Sequence, residues 1–286
     1  MISVIDINDD ADKFDVDKID VDKDDVDKIF TFDDIDDIND DKIFTSDDGR
    51  YNGKTITRIE ISPNEKYLIA YSKDDSSIVG WNVENIDKVQ LKFDQTVEIN
   101  EVYKYEIKNL CVSDDKKLVY NIYVDEINII DMNNKNKKIA LSFDYEVRPL
   151  YCTFNLNGEF ILYSEIYTYF GRHQIIWIYS TQTKNNKWEC KRFYGIPKDY
   201  ELISISIYDK VYLFSNDYIY EWNINTKKSV KIFDNSKDKN KIKTENIGIF
   251  SNDKFNILKV NDKIIVYSIE LEITIASLDI NDGNHF

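Results

Sequence analysis

Three observations predict an all-β propeller of about five four-stranded blades, an incomplete or open ring, behind a disordered acidic arm. Four short apolar runs recur five times across residues 55–281. Polar turns rich in Ser, Asn and Asp separate the runs. The 286-residue chain also holds only 8 Gly and 3 Pro beside 20 Tyr and 15 Phe, a balance that favours strands.

The arm comes first, as residues 1–50, with the propeller expected over 51–286. Residues 1–48 carry 19 Asp against 5 Lys, so they hold −14 of the chain's −16 net charge. Residues 9–28 read DDADK FDVDK IDVDK DDVDK, and DKIFTFDD at 27–34 returns as DKIFTSDD at 41–48. A period of five keeps no apolar face on a helix or a strand, and dense like charge opposes compaction. Disorder is the expectation. The alternating Asp residues resemble a calcium loop only on the surface. An EF-hand loop needs Gly at its sixth position and Glu at its twelfth, and the pentads have neither. The remaining body is nearly neutral, so neither part offers the basic footprint that nucleic-acid binding requires.

The first unit contains SPNEKYLIAYSKDDSSIVGWNVEN, residues 62–85. Its turn residue Ser62 aligns with Ser113, Asn155, Ser206 and Ser251, at spacings of 51, 42, 51 and 45. Its third run ends on Trp81, which aligns with Ile130, Tyr179, Trp222 and Tyr267, at spacings of 49, 49, 43 and 45. Two independent landmarks thus share one period. A fourth run closes each unit, in order VQLKFDQTVEI, KIALSFDYEV, WECKRFYGI, SVKIFDN and ITIASLDI. Four short strands per 42–51 residues are the pattern of propeller blades, whose faces are covered only by stacking on one another. Trp81 and Trp222 are therefore expected between blades. Closure is open to two arrangements: a tight five-bladed ring, with KIFTF (28–32) or KIFTS (42–46) adding a strand to the last blade, or an incomplete arc. ITIASLDI already completes the last unit and favours the ring, whereas the abrupt end at Asp282-Gly283-Asn284-His285-Phe286 favours the arc, which is the expectation.

The stretch at 62–85 resembles a WD-type repeat, with Trp-Asn where that family has Trp-Asp, and SDDKKLVY, NLNGEFILY and YEWNINTKK fit the same pattern. No Gly-His dipeptide occurs. The phrases ISPNEKYLIAYSKDDSSIVGWN, CVSDDKKLVY, FNLNGEFILY, IYSTQTKNNKWECKR and KIIVYS also resemble the N-terminal propeller of large fungal ion-transport-domain proteins. The first resemblance implies a scaffold that binds other proteins. The second implies a cytosolic regulatory domain, or a channel-less paralogue, of an ion-transport membrane protein.

No sequence pattern identifies a reaction, and the expectation is a non-enzyme with no cofactor and no metal site. Phosphate-cradling glycine loops are absent. His173 and His285 are the only histidines, one read as an exposed hairpin-tip residue and the other next to the C-terminal residue. Cys111, Cys152 and Cys190 form no CxxC pair and read as buried free thiols in a reducing compartment. No secretory signal and no apolar run near 20 residues occurs, so a cytoplasmic setting, or the cytosolic face of a membrane protein, is expected. The candidate interaction residues are Tyr167, Tyr169, Phe170 and Arg172, which cluster in the long hairpin of the third unit, because exposed aromatics and Arg anchor interfaces. Partners are expected to be proteins, with no nucleic acid, and association through an exposed sheet edge is a further route.

Limited proteolysis checks the arm. The first cuts should fall before about Tyr51, and amide exchange should show no protection across 9–28. Protection there would remove the disordered arm.

Overall fold

Each predicted unit becomes one antiparallel sheet in the computed structural model. The structure describes residues 3–4, 55–85, 90–99, 107–122, 126–143, 147–168, 171–216, 218–234, 247–251, 255–260, 263–268, 271 and 273–279. A short strand β1 (Ser3–Val4) precedes the units. Sheet I holds β2 (Ile56–Ile61), β3 (Tyr67–Ser72), β4 (Ser77–Asn85) and β5 (Gln90–Glu98). Sheet II holds β6 (Asn109–Val112), β7 (Lys117–Asn121), β8 (Ile127–Asp131) and β9 (Lys137–Lys138), followed by β10 (Ala140–Leu141). The third unit supplies β11 (Val147–Phe154), β12 (Phe160–Thr168), β13 (Gly171–Tyr179), β14 (Lys187–Trp188) and β15 (Cys190–Ile196). Sheet IV holds β16 (Glu201–Ile205), β17 (Lys210–Ser215), β18 (Tyr218–Asn223) and β19 (Ser229–Asp234). Sheet V holds β20 (Ile247–Ser251), β21 (Phe255–Val260), β22 (Lys263–Ser268) and β23 (Ile273–Asp279).

In units one to four the first turn explains why the chain reverses where it does. The Ser62 hydroxyl accepts from the backbone N–H groups of Lys66 and Tyr67, and that of Ser113 from Lys117. Asn155 Oδ1 accepts from the N–H of Glu159, and the Ser206 hydroxyl from that of Tyr208. One residue of each turn takes positive φ: Glu65, Lys116, Gly158 and Asp209, at 56°, 60°, 72° and 61°. Only one of these four is a glycine, the residue that adopts this conformation without strain.

Register then places the repeat landmarks on equivalent sites. Trp81 pairs with Leu68, Ile130 with Leu118, Tyr179 with Phe160, Trp222 with Val211 and Tyr267 with Asn256. In sheets II to V the landmark shares a buried cluster with the preceding sheet. Ile130 packs with Tyr67, Ile69 and Ile78 of sheet I. Tyr179 packs with Cys111, Val119 and Ile129 of sheet II. Trp222 joins Ile161, Tyr163 and Ile176 of the third sheet, and Tyr267 joins Tyr212 and Ile219 of sheet IV. Trp81 is buried as well, and among the described residues its cluster gathers members of sheet I, including Ala70, Val79, Leu91 and Phe93. No cluster of described residues joins sheets V and I, and Ile257 and Leu278 on the far face of sheet V are exposed. The fold is thus an all-β propeller of five sheets coupled in chain order.

Polar contacts reinforce two of these interfaces. Lys116, in the turn of sheet II, places Nζ 2.9 Å from Asp94 Oδ2 of β5 and 5.0 Å from the centre of the Tyr67 ring. The Tyr67 hydroxyl donates to the same Asp94 oxygen at 2.9 Å. Gly80 is required here, because a Cβ would lie 2.0 Å from that hydroxyl. Between sheets IV and V, Asn256 Nδ2 donates to buried Glu221 at 3.0 Å, and Lys210 forms an ion pair with the same carboxylate.

Two features depart from the repeat. The expected fourth run of the second unit is cut to β9, and β10 instead pairs in parallel with β14, tying the second unit to the third. β1 adds in parallel to the outer edge of β15, making the third sheet five-stranded. The KIFTF and KIFTS segments, and the rest of the arm apart from Ser3–Val4, lie outside the described residues.

Trp222 is 1% exposed between two sheets. Trp222→Ala should therefore cost about 3–5 kcal/mol in urea unfolding. A wild-type midpoint would show that this site does not couple the sheets.

Candidate functional site

The hairpin singled out by sequence is β12–β13, which pairs nine residues with nine. Tyr167 lies opposite Arg172, and Thr168 opposite Gly171, whose φ of 113° suits glycine. Tyr169 and Phe170 lie between them, outside the described residues. Tyr167 is 56% exposed. His173, expected at an exposed tip, is instead half-buried in β13 opposite Ile166, because the strand runs further than the sequence suggested.

Beneath the tip sits Glu165, a residue that sequence reading passed over. Its carboxylate is buried and forms an ion pair with Arg172. Arg148 Nη1 of β11 lies 3.7 Å from Glu165 Oε2, and the Tyr167 hydroxyl donates to that oxygen at 3.4 Å. A signal was present in FILYSEIYT: one acidic residue inside an otherwise apolar strand. A buried carboxylate needs compensating partners, and two guanidinium groups supply them. The result is a fixed Tyr–Arg pair at the surface. Burial, and then the Glu165 charge, push the neighbouring Tyr163 phenol up to about 12.

A second cluster lies where the innermost strands of units one to three converge. Cys111 of β6 and Cys152 of β11 place their sulfurs 3.5 Å apart, both buried and unbridged. Burial, reinforced by Cys152, pushes the Cys111 thiol up. Tyr151 is pushed up to about 12 by burial and then by the two cysteines and Glu60. The shift keeps the Cys111 thiol protonated at neutral pH, which makes it a poor nucleophile. Cys190 departs from the expected burial. It is half-buried and lines a groove of about 430 Å³ with Trp177, Phe193 and Glu189.

Turns tie sheets I to IV together at one end. Asn64 donates through Nδ2 to Asp114 at 2.6 Å and to the Leu156 carbonyl at 3.3 Å. The Leu156 N–H reaches the Ile207 carbonyl, and Asn155 Nδ2 donates to buried Asp209 at 2.7 Å. Among the described residues no group of three His, Cys, Asp or Glu side chains could hold a metal, and no helix is long and apolar enough to cross a membrane.

No family model and no curated protein matches the chain. Solved structures resemble it at low identity. One is the dihydro-heme d1 dehydrogenase NirN, at TM-score 0.47 and 12% identity over 79% of this chain and 47% of that one. Another is the β-propeller domain of Swd1 from Myceliophteria thermophila, at 0.44 and 10% over 75% and 65%. A third is KlAtg21 in complex with the coiled coil of AgAtg16, at 0.47 and 15% over 80% and 72%. The chain spans less than two thirds of the first two. The propeller assignment accordingly rests on this chain's own sheets.

Glu60 gives a test of the inner cluster. Burial raises its carboxyl, with Arg58 only partly offsetting. A raised folded-state value means that stability is lost as pH rises through it. Glu60→Gln should therefore raise the urea midpoint at about pH 7 and lose that advantage near pH 4. Equal gains at both would show that the carboxylate's charge is not the cause.

Proposed function

We propose that this protein is a non-enzymatic protein-interaction scaffold whose binding surface includes the β12–β13 hairpin tip. The observation that carries the reading is the exposed Tyr167–Arg172 pair braced on buried Glu165. Tyr and Arg are the residue types that most often dominate interface energetics. Bracing matters because it reduces the side-chain ordering that a partner would otherwise have to impose. Arg148 adds a second cation on Glu165, so that part of the Arg172 guanidinium stays available. The propeller supplies a rigid frame for that tip. Tyr169 and Phe170, adjacent in sequence, are proposed as the apolar part of the same surface.

Affinity capture with the full-length chain tests this. Tyr167→Ala and Arg172→Ala should each reduce capture of wild-type partners by roughly tenfold, a loss of about 1.4 kcal/mol. The thermal midpoint should stay within about 2 °C, since Tyr167 lies at the surface. Identical capture by wild type and both variants would overturn the hairpin as the binding surface.

A further inference from the structure

Two of the three cysteines meet across the interface between the second and third units. Cys111 of β6 and Cys152 of β11 hold their sulfurs 3.5 Å apart, and neither is in a disulfide. The strands that carry them are fixed on both sides. Cys111 pairs with Val119 in the ladder of sheet II, and Cys152 with Leu162 in that of the third sheet. Two residues ahead of each, Asn109 Nδ2 donates to the Leu150 carbonyl at 3.0 Å, which sets how β6 lies along β11. Both sulfurs sit in one buried cluster with Val119, Phe154 and Leu162.

A buried cysteine can serve simply as a small apolar side chain. Two features set this pair apart. A gap of 3.5 Å has to close by roughly 1.5 Å to reach a bond of about 2 Å, a movement that two side chains share. The pair also lies at the inner end of an interface whose outer end is already tied by β10–β14. A bond here would close that interface at both ends.

We propose that Cys111 and Cys152 form a redox-modification site, at which a peroxide joins them in a reversible disulfide that staples the second unit to the third. One thiol takes an oxygen from hydrogen peroxide, breaking the O–O bond and releasing water, and becomes a sulfenic acid. The other sulfur attacks it, forming the S–S bond and releasing a second water. The protein loses two hydrogens and two electrons, and the peroxide is reduced to water. Proximity directs the outcome, because the second thiol traps the sulfenic acid before more peroxide arrives. Burial keeps Cys111 protonated, so the bond forms on sustained exposure to oxidant. The new bond spans residues 41 apart in the chain, which restricts the unfolded state and stabilises the folded one. The site is independent of the hairpin tip and stands whether or not that tip binds a partner.

The full-length protein is held overnight in about 1 mM hydrogen peroxide, and the peroxide is then removed with catalase. Remaining thiols are alkylated in urea before digestion and mass spectrometry. The expected product is a cross-linked peptide pair holding Cys111 and Cys152, about 2 Da below the sum of the two reduced peptides. The oxidised protein should unfold roughly 5–10 °C higher than the reduced one, and dithiothreitol should reverse the shift. Cys111→Ser should lose both the cross-link and the shift, each read against the same variant without peroxide. Alkylation of both thiols, sulfinic or sulfonic acid in place of the bond, or a cross-link through Cys190 would each overturn the site. A Cys111–Cys152 bond with no rise in the midpoint would overturn the staple.

Discussion

The structure depends on one constraint: a four-stranded sheet of this composition has two apolar faces and can cover neither alone. The residue that resolves this sits at one place in every unit, in the third strand opposite the start of the second. In sheets II to V its side chain packs toward the sheet before it. Ile130, Tyr179, Trp222 and Tyr267 each therefore do double duty, pinning register within their own sheet and burying the previous one. Each large buried side chain of this kind contributes about 1.5–3 kcal/mol. Stability is shared along a row of interfaces, and each sheet is held mainly by its immediate neighbours.

Polar groups refine what apolar burial begins. The Lys116–Asp94–Tyr67 contact and the Glu221–Asn256 contact each cross one interface, between sheets I and II and between IV and V. Apolar faces slide past one another at little cost, whereas a carboxylate shielded from water and held by one matched donor set does not. These contacts fix how adjacent sheets align. Burial would raise the Asp94 carboxyl, but Lys116, Tyr67 and Asn82 together hold it below the usual carboxylate range. Burial and Asp94 push the Tyr67 phenol well above its ordinary value. The pair is thus kept charged on one side and neutral on the other at physiological pH.

The third unit stands apart from the others. It has the longest hairpin, a parallel strap to its predecessor through β10–β14, and an added strand on its outer edge. Its tip carries the braced Tyr–Arg pair, and its edge carries the N-terminal strand. Both features lie at the periphery, where a propeller can vary without disturbing the faces that hold it together.

The sequence by itself determined the number of units, the first three strands of each, the turn residues and the aligned landmarks. All of these follow from local rules: side chains alternate with period two, and Ser or Asn at a turn bonds its own backbone a few residues on. Half of the candidate site was legible in the same way, because Tyr167 and Arg172 flank a short loop. Glu165 showed only as one acid among apolar neighbours and Arg148 not at all, since nothing local says that residues 17 apart will meet. Only the tertiary structure decided that Cys111 would meet Cys152 and that Ser3–Val4 would cross to β15. Each of those outcomes depends on which faces and edges are left available once the sheets have stacked, and that is a property of the packed molecule with no counterpart in any short stretch of chain.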